Sequence, residues 1–205
     1  MTETESLERQ TVIYNLIDTL RDKDNWCGET HVQKTTYFLE ELTGHVLGYP
    51  FILYKHGPYS FELSEDLSAM GAFRFIEDEI AHPAYGPRLK PNREIKQMLQ
   101  EKFGTLTTEL ADPIKFVVGK LSGYGVVTLE RLATALYFTT QKPVEGDEAR
   151  ARQIHIVKSH ISAVLALDAV KIVNTILEDW KHREPQIEPP IDEIRRRENW
   201  RRPLT

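Results

Sequence analysis

The sequence predicts a mainly helical α+β protein, with a winged-helix-like N-terminal part carrying a small β-hairpin and a helical C-terminal part. Three observations carry this. Apolar residues recur at helical spacing over most of the chain. The period changes to alternation only around Phe73–Ile76, and Gly-Pro steps punctuate the few extended runs. With 205 residues, 40% hydrophobic and 28% charged, the chain can form one large domain or a small domain with an appended bundle. It divides into a winged-helix-like module over 1–93, a helical module packed on it over 94–183, and a proline- and arginine-rich tail over 184–205.

The first helix runs from Ser6 to Lys23 with Leu7, Ile13, Leu16, Ile17 and Leu20 near one face, and NWCGE breaks it. Thr30 followed by Gln33 has the form of a capping box, hydroxyl and amide each satisfying an orphan backbone N–H. The helix this opens turns Val32, Thr35, Phe38, Leu39 and Leu42 inward and ends at Gly44 in a left-handed cap. YPFILYK has the aromatic and β-branched bias of a short strand. Gly57-Pro58 turns the chain, and Ser60 caps a third helix whose Glu62 sits where the helix dipole favours an anion. Leu63, Leu67 and Met70 form its buried stripe, and Gly71 ends it. Phe73 and Phe75 then alternate with Arg74 and Ile76, and HPAYGPRLKP supplies a turn and a return strand.

Beyond Asn92 the pattern is helical again. REIKQMLQEKF leads into DPIKFVVGKLSGYG, with Pro113 in a first helical turn. TLERLATALYFTT follows, with Thr128 as its cap and Leu129, Leu132, Ala133, Leu136 and Tyr137 as its apolar face. KPVEGDEAR is a polar connector, and a helical stretch then runs from about Ala149 to Lys181 with a break near Ser162.

Composition excludes several functions. A net charge of −5 argues against a protein coated in basic surface for nucleic acid. The longest apolar runs, such as ISAVLALDAV, fall far short of a membrane span. The opening MTETESLERQ resembles neither a signal nor a transit peptide, so a cytoplasmic protein without membrane contact is expected. A single cysteine, Cys27, excludes an internal disulfide and reads as a small buried residue rather than a nucleophile. The chain has no His-Glu-x-x-His, P-loop, G-x-S-x-G or dinucleotide fingerprint. His155 and His160 would stand about 140° apart on a helix, on different faces. His31, His45 and His56 lie in adjoining segments and could converge, although surface or satisfied histidines are the commoner outcome. No catalytic residue, metal or cofactor is expected.

HVQKTTYFLEELTG, then YKHGPYSFELSEDLSAMG, then the hairpin ending YGPRLKP, resemble the YwgA-like group of bacterial proteins, which is similar to the Panacea domain of SocA-type antitoxins. The resemblance rests on Gln33, Lys34, Tyr37 and Phe38, on the turn Tyr54, Gly57, Pro58, Tyr59 and Ser60, and on Asp66 and Leu67. It covers residues 5 to 180. Ile52 and Leu53 replace the Ala-Trp usual before the Panacea turn, which favours the YwgA-like branch. That branch implies a scaffold more than an activity; the Panacea branch implies toxin neutralisation or protein binding.

YKHGPYS reads in two ways. As a turn, Gly57 allows close backbone approach, Pro58 fixes φ and Ser60 caps, with Tyr54 packing against the helix from Thr30. As a binding loop, it presents Lys55, His56 and the Tyr59 hydroxyl. Lys34 would lie on the recognition helix of a winged helix, but from Asn25 to Arg93 six basic side chains face nine acidic ones, a poor balance for duplex binding. The tail joins five arginines, Arg195, Arg196 and Arg197 among them, to Trp200, a grip for an acidic partner, RNA or a sister subunit. The expectation is a non-enzymatic protein-interaction module, antitoxin-like or a defence-associated adaptor, whose partner is a toxin or defence effector. The alternative is a winged-helix nucleic-acid-binding regulator.

Overall fold

Thr2 opens the first helix with a capping box: its hydroxyl accepts from the Glu5 amide, and the Glu5 carboxylate accepts from the Thr2 amide. Helix α1 (Glu3–Asp22) then buries an almost unbroken run from Arg9 to Tyr14 and, beyond it, Leu16, Ile17 and Leu20. The structure, a computed structural model, describes residues 2–80, 86–142 and 144–183. Arg195, Arg196, Arg197 and Trp200 lie outside these residues.

Helix α2 (Glu29–Thr43) begins one residue before Thr30, on Gly28, with no side-chain cap. The capping box expected at Thr30 and Gln33 is therefore absent. Gln33 is used elsewhere: its carboxamide donates to Ser60 O (2.9 Å) and accepts from Ser60 N (3.0 Å). One side chain thus satisfies both backbone groups of a buried residue, which a reach back to its own helix start would not do. Gly44 closes α2 at φ 74°, the left-handed cap expected there. Every residue from His31 to Glu40 is buried, because α1, α5 and α6 pack around this helix. The helix assigned to nucleic-acid reading is the centre of the core.

The segment after α2 is tied down by carboxylates. Glu40 accepts from the amides of Leu47 (3.1 Å) and Tyr49 (2.7 Å); burial pushes its pKa up and the two amides oppose this. The Tyr49 hydroxyl donates to Asp66 Oδ2 (2.7 Å), which also receives Arg9 Nη2 (2.8 Å), while Gln10 donates to Asp66 Oδ1 (3.1 Å). The Arg9 guanidinium lies 4.1 Å from the Tyr49 ring centre. Strands β1 (Ile52–Tyr54) and β2 (Gly57–Tyr59) follow, then α3 (Phe61–Ala72), capped by Ser60 through the Leu63 amide as expected. A second antiparallel pair, β3 (Ile76–Glu79) with β4 (Arg88–Pro91), sets Ile76 opposite Pro91. The expected hairpin forms, but it starts only at Ile76, and Phe73–Phe75, expected to alternate in it, form a turn with Arg74 at φ 56°.

A 3₁₀ turn at Arg93–Ile95 leads to α4 (Lys96–Glu109), kinked at Phe103 where φ is −135°. Lys96 and Arg93 both reach Asp18 on α1, at 2.7 and 3.3 Å. Next come α5 (Ala111–Leu121), α6 (Val126–Thr140), α7 (Asp147–Val157) and α8 (Ala163–His182). Gly125, not Thr128, is the residue before α6; the Thr128 hydroxyl accepts from Arg131 instead. The break expected near Ser162 separates α7 from α8, and Ser162 caps α8. One apolar cluster joins residues of all eight α-helices of the described residues, and α4 and α5 lie against α1. None of the described helices is long and apolar enough to cross a membrane.

Candidate functional site

YKHGPYS is itself a β-hairpin. Ile52 pairs with Tyr59 and Tyr54 with Gly57, so the chain reverses on Lys55 and His56. Gly57 and Pro58, expected to make the turn, are strand residues. Gly57 supplies the positive φ, 89°, that lets the strand leave the turn as a glycine bulge does. It also lets β2 lie directly on α6, where a Cβ would stand 2.8 Å from Thr134 Oγ1 and 3.1 Å from Glu130 O. Pro58 has no N–H for a ladder, and its carbonyl accepts from Lys34 Nζ at 2.7 Å.

Lys34 therefore turns its ammonium into the hairpin rather than toward solvent. It is 2% exposed, pinned to the hairpin from below, with its ammonium 6.0 Å from the Tyr59 ring centre. Burial drives its pKa from 10.5 down to about 8, against the attraction of Glu130. Between those values the unfolded chain holds a proton that the folded chain has released, so this residue's contribution to stability rises from pH 8 to 10.5 and is lost as pH falls through 8. Stability measured by urea denaturation should gain up to ~3 kcal/mol over that window relative to Lys34→Met. The difference isolates Lys34 from Cys27 and Tyr14, whose raised pKa values oppose it at the alkaline end. A pH-independent difference between the two proteins would mean that the lysine is not buried as a charge.

Above the hairpin, Lys55 and His56 are exposed. His56 Nδ1 stands 3.4 Å from Glu130 Oε2 on α6. Lys158, in the break after α7, donates to the carbonyl oxygens of Tyr54 and, at 2.9 Å, Lys55. Two lysines thus hold the hairpin, Lys34 at Pro58 and Lys158 at the turn, and burial lowers the pKa of both. The Tyr59 hydroxyl donates to Glu29 Oε1 (2.9 Å), shared with the Ser64 hydroxyl. Its ring meets Phe61 edge-on at 5.1 Å, and Tyr54 completes a surface trio 5.6 Å from Phe61.

A pocket of about 90 Å³ opens beside the turn, lined by His56, Val127, Glu130, Arg131, Lys158 and Leu165 among others. Of its apolar lining residues Val127 is 69% exposed and Leu165 43%, and Tyr54, next to the turn in the chain, is 52% exposed. Sequence reasoning reached Lys55, His56, Tyr59 and Tyr54, which the fold brings together here, and missed Glu130, Arg131 and Lys158. The available signal was apolar residues off the buried stripes, Val126-Val127 and Ile156-Val157, next to those charges.

A second, larger groove of about 970 Å³ runs between the first turn of α2, α3 and the β3–β4 hairpin. His31 lines it but is buried, and burial lowers its pKa, so the imidazole is neutral at pH 7. His45 sits beside Glu41 at the other end of α2, so the three early histidines do not converge. His155 Nδ1 is engaged with Ile161 O at 2.7 Å. Cys27 is fully buried and its thiol is pushed up to about 12, which leaves no thiolate for nucleophilic chemistry. Among the described residues no three of His, Cys, Asp and Glu gather as a metal set would. No protein-family model matches the chain, and no curated protein sequence matches it.

Proposed function

We propose that the protein is a non-enzymatic interaction module that docks a partner protein on the face around the Lys55–His56 turn. One observation carries the reading: six large apolar side chains, Ile52, Tyr54, Phe61, Val127, Val157 and Leu165, are exposed on the segments that surround this turn. Exposed apolar clusters rimmed by charge are uncommon on soluble monomers and mark interaction surfaces. Aromatic and arginine side chains, present together here, are the residue types that dominate such interfaces. In this reading the winged-helix-like unit is a scaffold. Helix α2, on which the nucleic-acid reading depends, is buried from His31 to Glu40, and α3 exposes Glu62 and Glu65, which repel phosphate. The resemblance of residues 5–180 to the YwgA-like group, which is similar to the Panacea domain of antitoxins, makes a cytoplasmic toxin or defence effector the first partner to test.

Photo-crosslinking in the native cell provides the test. A benzophenone side chain placed at Tyr54 or Val127 should capture one common protein, and the same group at Gln100 on α4 should not. The paired change Val127→Asp and Leu165→Asp, both at exposed positions, should abolish capture at Tyr54 while the far-ultraviolet circular dichroism stays unchanged. Equal capture at all three positions would defeat the reading.

A further inference from the structure

We infer that the pocket beside the turn is a receptor for a side-chain carboxylate, carried on an acidic, apolar-flanked segment of the partner protein, with Arg131 as its fork. The inference rests on the docking face described above and names the partner's chemistry. Arg131 is half-buried in the pocket wall, and its one hydrogen bond to a side chain runs from Nη2 to Thr128 Oγ1 at 3.1 Å. Among the described residues no carboxylate stands within salt-bridge distance of it. Other arginines with sheltered side chains are matched: Arg9 to Asp66 at 2.8 Å, Arg21 to Glu79 at 3.0 Å, Arg150 to Asp147 at 2.6 Å. A guanidinium presents a planar fork of donors suited to bidentate carboxylate binding, and in this pocket wall that fork faces no carboxylate of the described residues.

The neighbouring groups narrow the occupant. Glu130 is the only carboxylate among the described lining residues; its Oε2 stands 3.4 Å from His56 Nδ1, and its charge acts on Lys158. Lys55, Arg131 and Lys158 leave the tip positive. Glu130 still tells against a doubly charged phosphate. The pocket is small, about 90 Å³, enough to admit a carboxylate and its methylene. Val127, Ile161 and Leu165 supply apolar walls. An aspartate or glutamate with apolar neighbours meets all of these conditions.

Selection of displayed random short peptides on the immobilised full chain reads this chemistry without knowledge of the partner. The enriched peptides should carry Asp or Glu beside aliphatic or aromatic residues. An enriched peptide, followed by fluorescence anisotropy, should bind Arg131→Gln about tenfold more weakly and Arg131→Lys to an intermediate degree. Acetate and succinate at equal concentration should not displace it. Enrichment without acidic residues, no enrichment, or displacement by acetate would overturn the inference. If Arg131→Gln binds as wild type while Val127→Asp with Leu165→Asp does not, the carboxylate site fails and the docking face stands. If neither variant weakens binding, both fail.

Discussion

Replacing Asp66 by alanine is expected to cost the fold about 3–5 kcal/mol, the range for stranding one member of a buried ion pair. Asp66 is the common acceptor for Arg9 on α1, Gln10 on α1 and Tyr49 before β1. Without it the Arg9 guanidinium keeps only Glu62, at 3.5 Å and half exposed. The Tyr49 hydroxyl, buried at 2% exposure, loses its acceptor as well. Asp66→Asn keeps the shape and one acceptor oxygen, so it should fall between wild type and alanine. Urea denaturation measures both, with an unchanged m value as the check that the unfolding reaction is the same. A loss below ~1 kcal/mol for the alanine variant would mean that water reaches the site and replaces the carboxylate.

Gly57→Ala is the second large effect. The new Cβ would press on Thr134 Oγ1 and Glu130 O at a backbone angle of φ 89°. The Thr134 hydroxyl cannot swing away freely, because it donates to Glu130 O at 2.7 Å and the residue is buried. The left-handed penalty and the overpacking together amount to about 2–4 kcal/mol. Thr134→Ala removes the closest atom, so the double variant should recover part of that loss, and thermal or urea unfolding of the four proteins gives the coupling. Additive losses would show that φ alone opposes alanine at this position.

Much of the fold was legible because its signals are local. The helical spacing, the Ser60 and Gly44 caps, the β3–β4 hairpin and the break at Ser162 each depend on residues within a few positions of one another. What escaped depends on distant partners. Thr30 and Gln33 satisfy the capping pattern, yet Gln33 has a better use on Ser60, 27 residues away. His31, Gln33, Lys34 and Glu40 look like a polar helix face, and no periodicity reveals that Gln33, Lys34 and Glu40 each find a buried hydrogen-bond partner. The turn at Lys55-His56 lacks the Asn-Gly or Asp-Gly signature of tight hairpins, because its positive-φ glycine comes after the turn, at Gly57; a lysine from the α7–α8 break also holds it. The candidate site was half visible for the same reason: the hairpin supplies one wall, and α6 and α8 supply the other.

The grip of Lys158 on the hairpin joins groups 103 and 104 positions apart in the chain. Contacts of such separation close only after a long loop has already been ordered, so they belong late on the folding route. Losing the ammonium in Lys158→Ala should therefore leave the refolding rate almost unchanged and quicken unfolding. The hairpin tip would be the last part of the molecule to lock and the first to let go.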